Sequence, residues 1–201
     1  MKKISTAVMV RAALLGAMGA VLMQLDLSLP IFPQFYKLDA GDLPILVGAI
    51  TTGPLTGFLA AMIKIFLDSI IFGTRTFGIG EFANFLMSVS LIVPFGCVFR
   101  WRQDNVGYLI GCAAGILSLL IVSSLTNYFI LIPFYSNLYR LPVERIVEIV
   151  NAVNSNVTDL PTLILFATIP FNLLKGTIIL TLGFAVYKSM RPIIARLSKT
   201  Q

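Results

Sequence analysis

The segment Leu163-Ile164-Leu165-Phe166-Ala167-Thr168-Ile169-Pro170-Phe171-Asn172-Leu173-Leu174-Lys175-Gly176-Thr177-Ile178-Ile179-Leu180 decides the fold class. It belongs to an apolar run from about Leu160 to Tyr187, longer than the roughly 20 residues a helix needs to cross a bilayer core. Asn172 and Lys175 lie inside it, three residues apart and therefore on one helix face. Polar groups at that depth in lipid are costly, and they face a cavity, a pathway or a partner. The pair is the chain's clearest pointer to what it handles.

The rest of the chain agrees. Of 201 residues, 57% are apolar and 12% are charged, against about 25% charged in a soluble domain. The reading is all-α: one integral membrane bundle of six hydrophobic helices with no separate soluble domain. The helices fall at about 4–25, 43–52, 55–72, 81–99, 106–134 and 160–187, the second being short. Arg11 interrupts the first run, and the chain beyond is equally apolar, which favours a retained helix over a cleaved leader. A Pro- and Asp-rich stretch at about 29–42 reads as an ordered outer loop. Between the last two helices, Val143, Ile146, Val150 and Val153 recur at helical spacing among charges. That pattern predicts a short amphipathic helix on the outer surface at about 142–155.

Six helices place both termini on one side. With that side cytoplasmic, Lys2, Lys3, Arg100, Arg102, Lys188, Arg191, Arg196 and Lys199 lie inside, and the smaller set Lys37, Arg75, Arg140 and Arg145 lies outside. This satisfies the positive-inside rule. The net charge of +6 then needs no nucleic-acid partner.

Other polar residues in apolar surroundings are Lys64, Asp68, Glu81, Asn84 and Asn127. Lys64 and Asp68, at i and i+4, are placed to neutralise each other. Glu81 and Asn84 follow a glycine-rich turn, where a carboxylate caps a helix N-terminus or binds a polyol hydroxyl. Asn127, Asn172 and Lys175 fall near one depth. Together they offer amide donors and acceptors and an ammonium donor, a set suited to a flat heterocycle with alternating carbonyls and ring nitrogens. The competing reading is interhelical hydrogen bonding. Ala13 and Ala17, with Gly16 and Ala20 beside them, and the run Gly107, Gly111, Gly115 permit close helix approach. The first stripe also suits docking of another membrane subunit.

Absences narrow the class. There is no histidine, which removes His-metal sites and Ser-His-Asp triads, and no metal site is read. No Gly-x-x-x-x-Gly-Lys-Ser/Thr phosphate loop is present, so the chain does not burn ATP alone. No inverted repeat of a secondary transporter is visible. A ligand pocket without an engine points to a binding subunit of a larger machine, not an enzyme.

Four segments carry a family resemblance: Phe35-Tyr36-Lys37-Leu38-Asp39-Ala40-Gly41-Asp42-Leu43-Pro44, Thr52-Gly53-Pro54-Leu55-Thr56-Gly57, Gly78-Ile79-Gly80-Glu81-Phe82-Ala83-Asn84-Phe85-Leu86 and Phe171-Asn172-Leu173-Leu174-Lys175-Gly176. In order and spacing the chain resembles the riboflavin-specific S component of energy-coupling factor (ECF) vitamin transporters. The resemblance implies a bacterial inner-membrane subunit that binds riboflavin from outside as a transported ligand, with no cofactor. Its partners would be a transmembrane coupling subunit and two cytoplasmic ATPases. Asn127, Asn172 and Lys175 would hold the ring. Asp39, Leu38, Glu81 and Asn84 would be ribityl-side or loop-ordering groups, the first outer loop a lid, and Ala13 and Ala17 the docking stripe. Alternatives are an S component for FMN, biotin, a pterin or thiamine, a membrane enzyme, or a structural subunit. A pocket lysine argues against cationic thiamine. A phosphorylated flavin calls for cations at the mouth, where Lys37 and Arg75 are candidates.

Overall fold

A computed structural model describes residues 5–33, 35–74 and 76–197, with side chains through residue 190. Lys2, Lys3, Arg75 and Lys199 lie outside the described residues, and Arg191 and Arg196 are described by backbone alone. Helix α1 (Thr6–Met23) leads into a small antiparallel ladder, β1 (Leu27–Ser28) against β2 (Lys37–Leu38), with Leu27 opposite Leu38. Helices α2 (Asp42–Thr52), α3 (Pro54–Ile71), α4 (Ile79–Trp101) and α5 (Asn105–Thr126) follow. A π turn (Asn127–Leu131) joins α5 to α6 (Ile132–Tyr139). Then come α7 (Val143–Asn151), α8 (Leu160–Leu163), a second π turn (Ile164–Thr168) and α9 (Ile169–Leu197).

Among the described residues five continuous helical stretches are long and apolar enough to cross a membrane: Thr6–Met23, Pro54–Ile71, Ile79–Trp101, Asn105–Tyr139 and Leu160–Met190. With 11 residues, α2 rises only about 16 Å, roughly half a bilayer core. The expected six hydrophobic helices, with a short second one, are present. Gly53 ends α2 at φ 104° and Pro54 opens α3, so the chain reverses in a single residue that only glycine adopts without strain.

The fifth stretch runs to Tyr139 rather than the expected 134. The same device explains this and the second π turn. Pro133 and Pro170 each stand two residues past a π turn, both in an Ile-Pro-Phe triplet. A proline lacks the N–H of the α ladder and its ring crowds the carbonyl four residues back. Widening the preceding turn relieves the clash. Ile132 N–H bonds the carbonyl of Asn127, and Ile169 N–H that of Ile164. The helix continues instead of stopping. Beside Pro170, the Phe166 carbonyl also accepts Asn154 Nδ2 at 3.2 Å.

Two apolar clusters hold the bundle. The larger joins α1, α2, α3, α4, α5 and α9 through Ala12, Ile45, Ala60, Phe95, Leu119 and Ile179. Nearby, Phe95, Phe99, Tyr108 and Tyr187 pack as an aromatic group, and Tyr108 donates to the Leu180 carbonyl at 2.7 Å. Gly115 lets α4 and α5 close together: a Cβ there would lie 2.5 Å from the Leu91 carbonyl oxygen. On α1 the buried small residues are Ala12, Gly16, Gly19 and Ala20. Ala13 is exposed and Ala17 half-buried, so the first is free of packing within the chain and the second only partly engaged in it. Leu14, Phe66, Leu109, Leu117 and Phe129 point outward, each more than 60% exposed, as lipid-facing residues do.

The second cluster sits at one end of the bundle. It gathers Tyr36 from the first loop, Val147 and Val150 from α7, Val157, Leu163, Ala167 and Phe171. The amphipathic helix is shorter than the expected 142–155, and its buried face is Val147 and Val150 with Val143 and Ile146 half-buried; Val153 lies past its end, exposed. The segment is a packed part of the structure and not a helix merely lying on the outer face.

Candidate binding cavity

At the end of the bundle that carries this second cluster lies a cavity of about 510 Å³. The size falls in the range of small-molecule sites. Its walls come from the end of α1, the first loop, the end of α3, the first turns of α4, the first π turn and the start of α9. Asn127, Asn172 and Lys175 all line it, as do Asp39, Glu81 and Asn84. Leu38, on the β2 strand and paired with Leu27, is not among the residues brought to the wall.

Each polar side chain is held in a definite way. Asn127 Nδ2 donates to the Ser123 carbonyl at 2.8 Å, and its Oδ1 accepts from Tyr36 Oη at 3.3 Å. Its second amide N–H has no partner among the described residues. Asn172 Nδ2 donates to the Thr168 carbonyl at 2.9 Å, leaving Oδ1 without a protein donor among the described residues. Lys175 Nζ donates to Asp39 Oδ2 at 2.7 Å, which leaves two of its three donors uncommitted. Asp39 Oδ1 accepts the Gly41 N–H at 2.9 Å. One end of the cavity thus offers donors from Asn127 and Lys175 and an acceptor from Asn172.

The π turns place these groups. Asn127 is the first residue of one, and Thr168, which receives the Asn172 amide, is the last of the other. Such turns are common where function demands an irregular helix face, and a freed carbonyl is tolerated in a membrane only where something else satisfies it.

Sequence reasoning missed Tyr36 as a wall residue. Its ring stacks on Phe171 at 4.9 Å and 16°, with Phe32 edge-on to Phe171 at 5.3 Å. Its hydroxyl also shares a 2.6 Å hydrogen bond with Thr168 Oγ1. Burial pushes that hydroxyl's pKa up, so it stays a neutral donor at ordinary pH. The signal was the aromatic spacing Phe32, Phe35, Tyr36 beside charged residues, which composition alone does not assign to a loop or a wall.

The other end is acidic. Glu81 stands in the first turn of α4 and accepts from Thr76 Oγ1 at 2.9 Å. Asp68 accepts from Gln24 at 2.5 Å. The expected Lys64–Asp68 pairing does not form. Lys64 is fully buried and pairs instead with Asp42 at 2.6 Å, because it points inward between α2 and α4 while Asp68, one turn on, reaches the cavity. Lys37 pairs with Asp26 at 2.5 Å across the loop; Arg75, the other expected mouth cation, lies outside the described residues. Among the described residues no cluster of three His, Cys, Asp or Glu side chains suits a metal ion.

The family model "ECF transporter, substrate-specific component" matches residues 7–187. Among curated relatives, the riboflavin transporter RibU of Staphylococcus aureus is 26% identical over 189 residues, covering 94% of this chain and 93% of its own. The riboflavin transporter FmnP of Bacillus subtilis is 26% identical over 185 residues, 92% of each. A solved S component of a bacterial ECF transporter superposes with TM-score 0.72 at 25% identity, covering 94% of this chain and 97% of that one.

Proposed function

We propose that this chain, which belongs to the family of ECF transporter substrate-specific components, is a riboflavin-binding subunit of a vitamin importer. The observation that carries the reading is the meeting of Asn127, Asn172 and Lys175 at one end of one cavity beside the Phe171–Tyr36 stack. The flavin ring's pyrimidine edge presents two carbonyls and one ring N–H. The cavity end supplies donors from Asn127 and Lys175 and an acceptor from Asn172, the complementary set. Relatives named riboflavin transporters cover nearly the whole chain, which supports the same ligand here.

In this reading the ring enters the amide end and the ribityl chain extends toward Glu81 and Asn84. The loop over about 29–42 is the lid, fastened by Asp39 to Lys175 and by Tyr36 to Asn127 and Thr168. Entry requires these fastenings to yield while the ligand passes; on closure Lys175 gives one donor to Asp39 and keeps two others for the ring. ATP hydrolysis belongs to partner subunits, and the open Ala13/Ala17 stripe of α1 is where the coupling subunit docks.

The test is a riboflavin titration of detergent-purified protein, repeated with Asn172→Ala and Lys175→Ala. Each variant is expected to weaken binding by about 1–3 kcal/mol, the usual worth of a hydrogen bond to a buried or charged group. Unchanged affinity in both variants moves the ring elsewhere. No binding by the parent protein overturns the ligand assignment.

A further inference from the structure

Lys64 is the largest fully buried side chain of the described residues, and nothing in the binding scheme above uses it. Its Nζ donates three hydrogen bonds: to Asp42 Oδ1 at 2.6 Å, to Asn84 Oδ1 at 2.8 Å and to Ser88 Oγ at 2.8 Å. Ser88 in turn donates to Asp42 Oδ1 at 2.5 Å. All three ammonium protons are therefore committed, and α2, α3 and α4 are tied at one level. An ammonium carries donors and no acceptor. The atom of Asn84 turned toward it must accordingly be the amide oxygen, and the amide nitrogen is turned the other way. Asn84 lines the cavity although Lys64 does not.

We propose that Lys64 is a positioning residue: it locks the polarity of Asn84 so that an amide N–H donor, never the carbonyl, is presented to the ligand's polyol chain. Glu81 stands one turn before Asn84 on the same face of α4, with Oε2 occupied by Thr76. The wall there alternates a carboxylate acceptor with an amide donor, spaced about 5–6 Å as i, i+3 neighbours are. Hydroxyls both donate and accept, so a chain of them satisfies both groups, whereas a chain of acceptors or an alkyl chain does not. The selectivity for a polyhydroxylated substituent is thus set from behind, by a buried charge that the ligand never touches. The inference rests on the riboflavin reading above.

The experiment compares riboflavin with lumiflavin, a flavin with a methyl group in place of the ribityl chain, by titration of the purified full chain. Asn84→Asp keeps the Lys64 contact and the side-chain shape while replacing the donor by an acceptor. It is expected to weaken riboflavin about tenfold or more, in keeping with one lost hydrogen bond, and to leave lumiflavin unchanged. Lys64→Gln, whose amide can turn either face to Asn84, is expected to show the same one-sided loss in smaller measure. Should Lys64→Gln fail to fold, the pair Lys64→Met/Asp42→Asn, which removes the lock on Asn84 without leaving either buried charge unpaired, takes its place with the same expectation. Equal losses for both flavins in the variants, or no loss for either, overturn the proposal. Failure of the parent protein to bind either flavin overturns the riboflavin reading instead.

Discussion

The Tyr36 hydroxyl reaches two residues far along the chain, Asn127 and Thr168, while its ring leans on Phe171. One side chain of a connecting loop therefore joins the first π turn, the second π turn and the start of α9. Removing the hydroxyl leaves a buried amide oxygen and a buried threonine short of a partner. Tyr36→Phe is expected to lower stability by about 1–3 kcal/mol, read as a drop in the thermal unfolding midpoint in detergent. An unchanged midpoint would show that the hydroxyl adds nothing to the closed loop. The raised pKa of Tyr36 has a sign as well. Its neutral form is favoured in the fold, so its contribution is whole below the unfolded value of about 10 and declines as pH rises beyond it toward the folded value.

At the scale of elements, close approach and capping do most of the work. Gly115 faces the Leu91 carbonyl so tightly that an added methyl has no room. Gly115→Ala is expected to force α4 and α5 apart at a cost of about 1–3 kcal/mol, again read by thermal unfolding; a neutral result would mean the helices slide freely. Two helix starts are held by carboxylates. Asp104 accepts from the Gly107 N–H, and Asp159 from the Thr162 N–H within a capping box. Asp104 is held below the usual carboxylate range chiefly by the Gly107 N–H, then by Arg102. For Asp159 the Thr162 side chain is the main cause and the Thr162 N–H the next. Both stabilise the fold above the unfolded value of about 3.9, and the contribution is lost as pH falls through the lower folded values. The unfolding midpoint of the parent chain is expected to fall more steeply as pH drops below about 4 than that of an Asp104→Asn/Asp159→Asn variant.

The helices were legible because an apolar run needs no tertiary information to be recognised, and the Gly53-Pro54 break is a local instruction. The cavity set of Asn127, Asn172 and Lys175 was legible because a polar group in such a run stands out. What escaped was of two kinds. Partner choice among buried charges depends on rotation of neighbouring helices, so Lys64 turned to Asp42 and not to Asp68. The π turns and the role of Tyr36 depend on how a proline is absorbed and on where a loop folds back, which spacing does not encode. The repeated Ile-Pro-Phe triplets stand in the sequence, but the triplet alone does not say whether a proline stops a helix or is absorbed by a wider turn.

For the molecule as a whole, the helices deliver every cavity group to one end, and α1 and α9 start and finish at the other. The chain is a multi-pass membrane protein, and we propose that the cavity end faces outside. A membrane-impermeant maleimide tests this after Cys97 and Cys112 are replaced by serine. Arg140→Cys, at the cavity end, is expected to react in intact cells, and Gln103→Cys, at the opposite end, only after lysis; both side chains are exposed. The reverse pattern would falsify the orientation.

The packing of α7 carries one more implication. Val150 and Val157 are fully enclosed, and both belong to the cluster that includes Phe171 and Tyr36. The polar interlude before the last membrane segment is therefore a buttress, not a tether. Lengthening or loosening it at a distance from any flavin atom should shift the ring platform, so grafting a tag between Tyr139 and Asp159 would blunt capture, whereas a tag at either chain end would not.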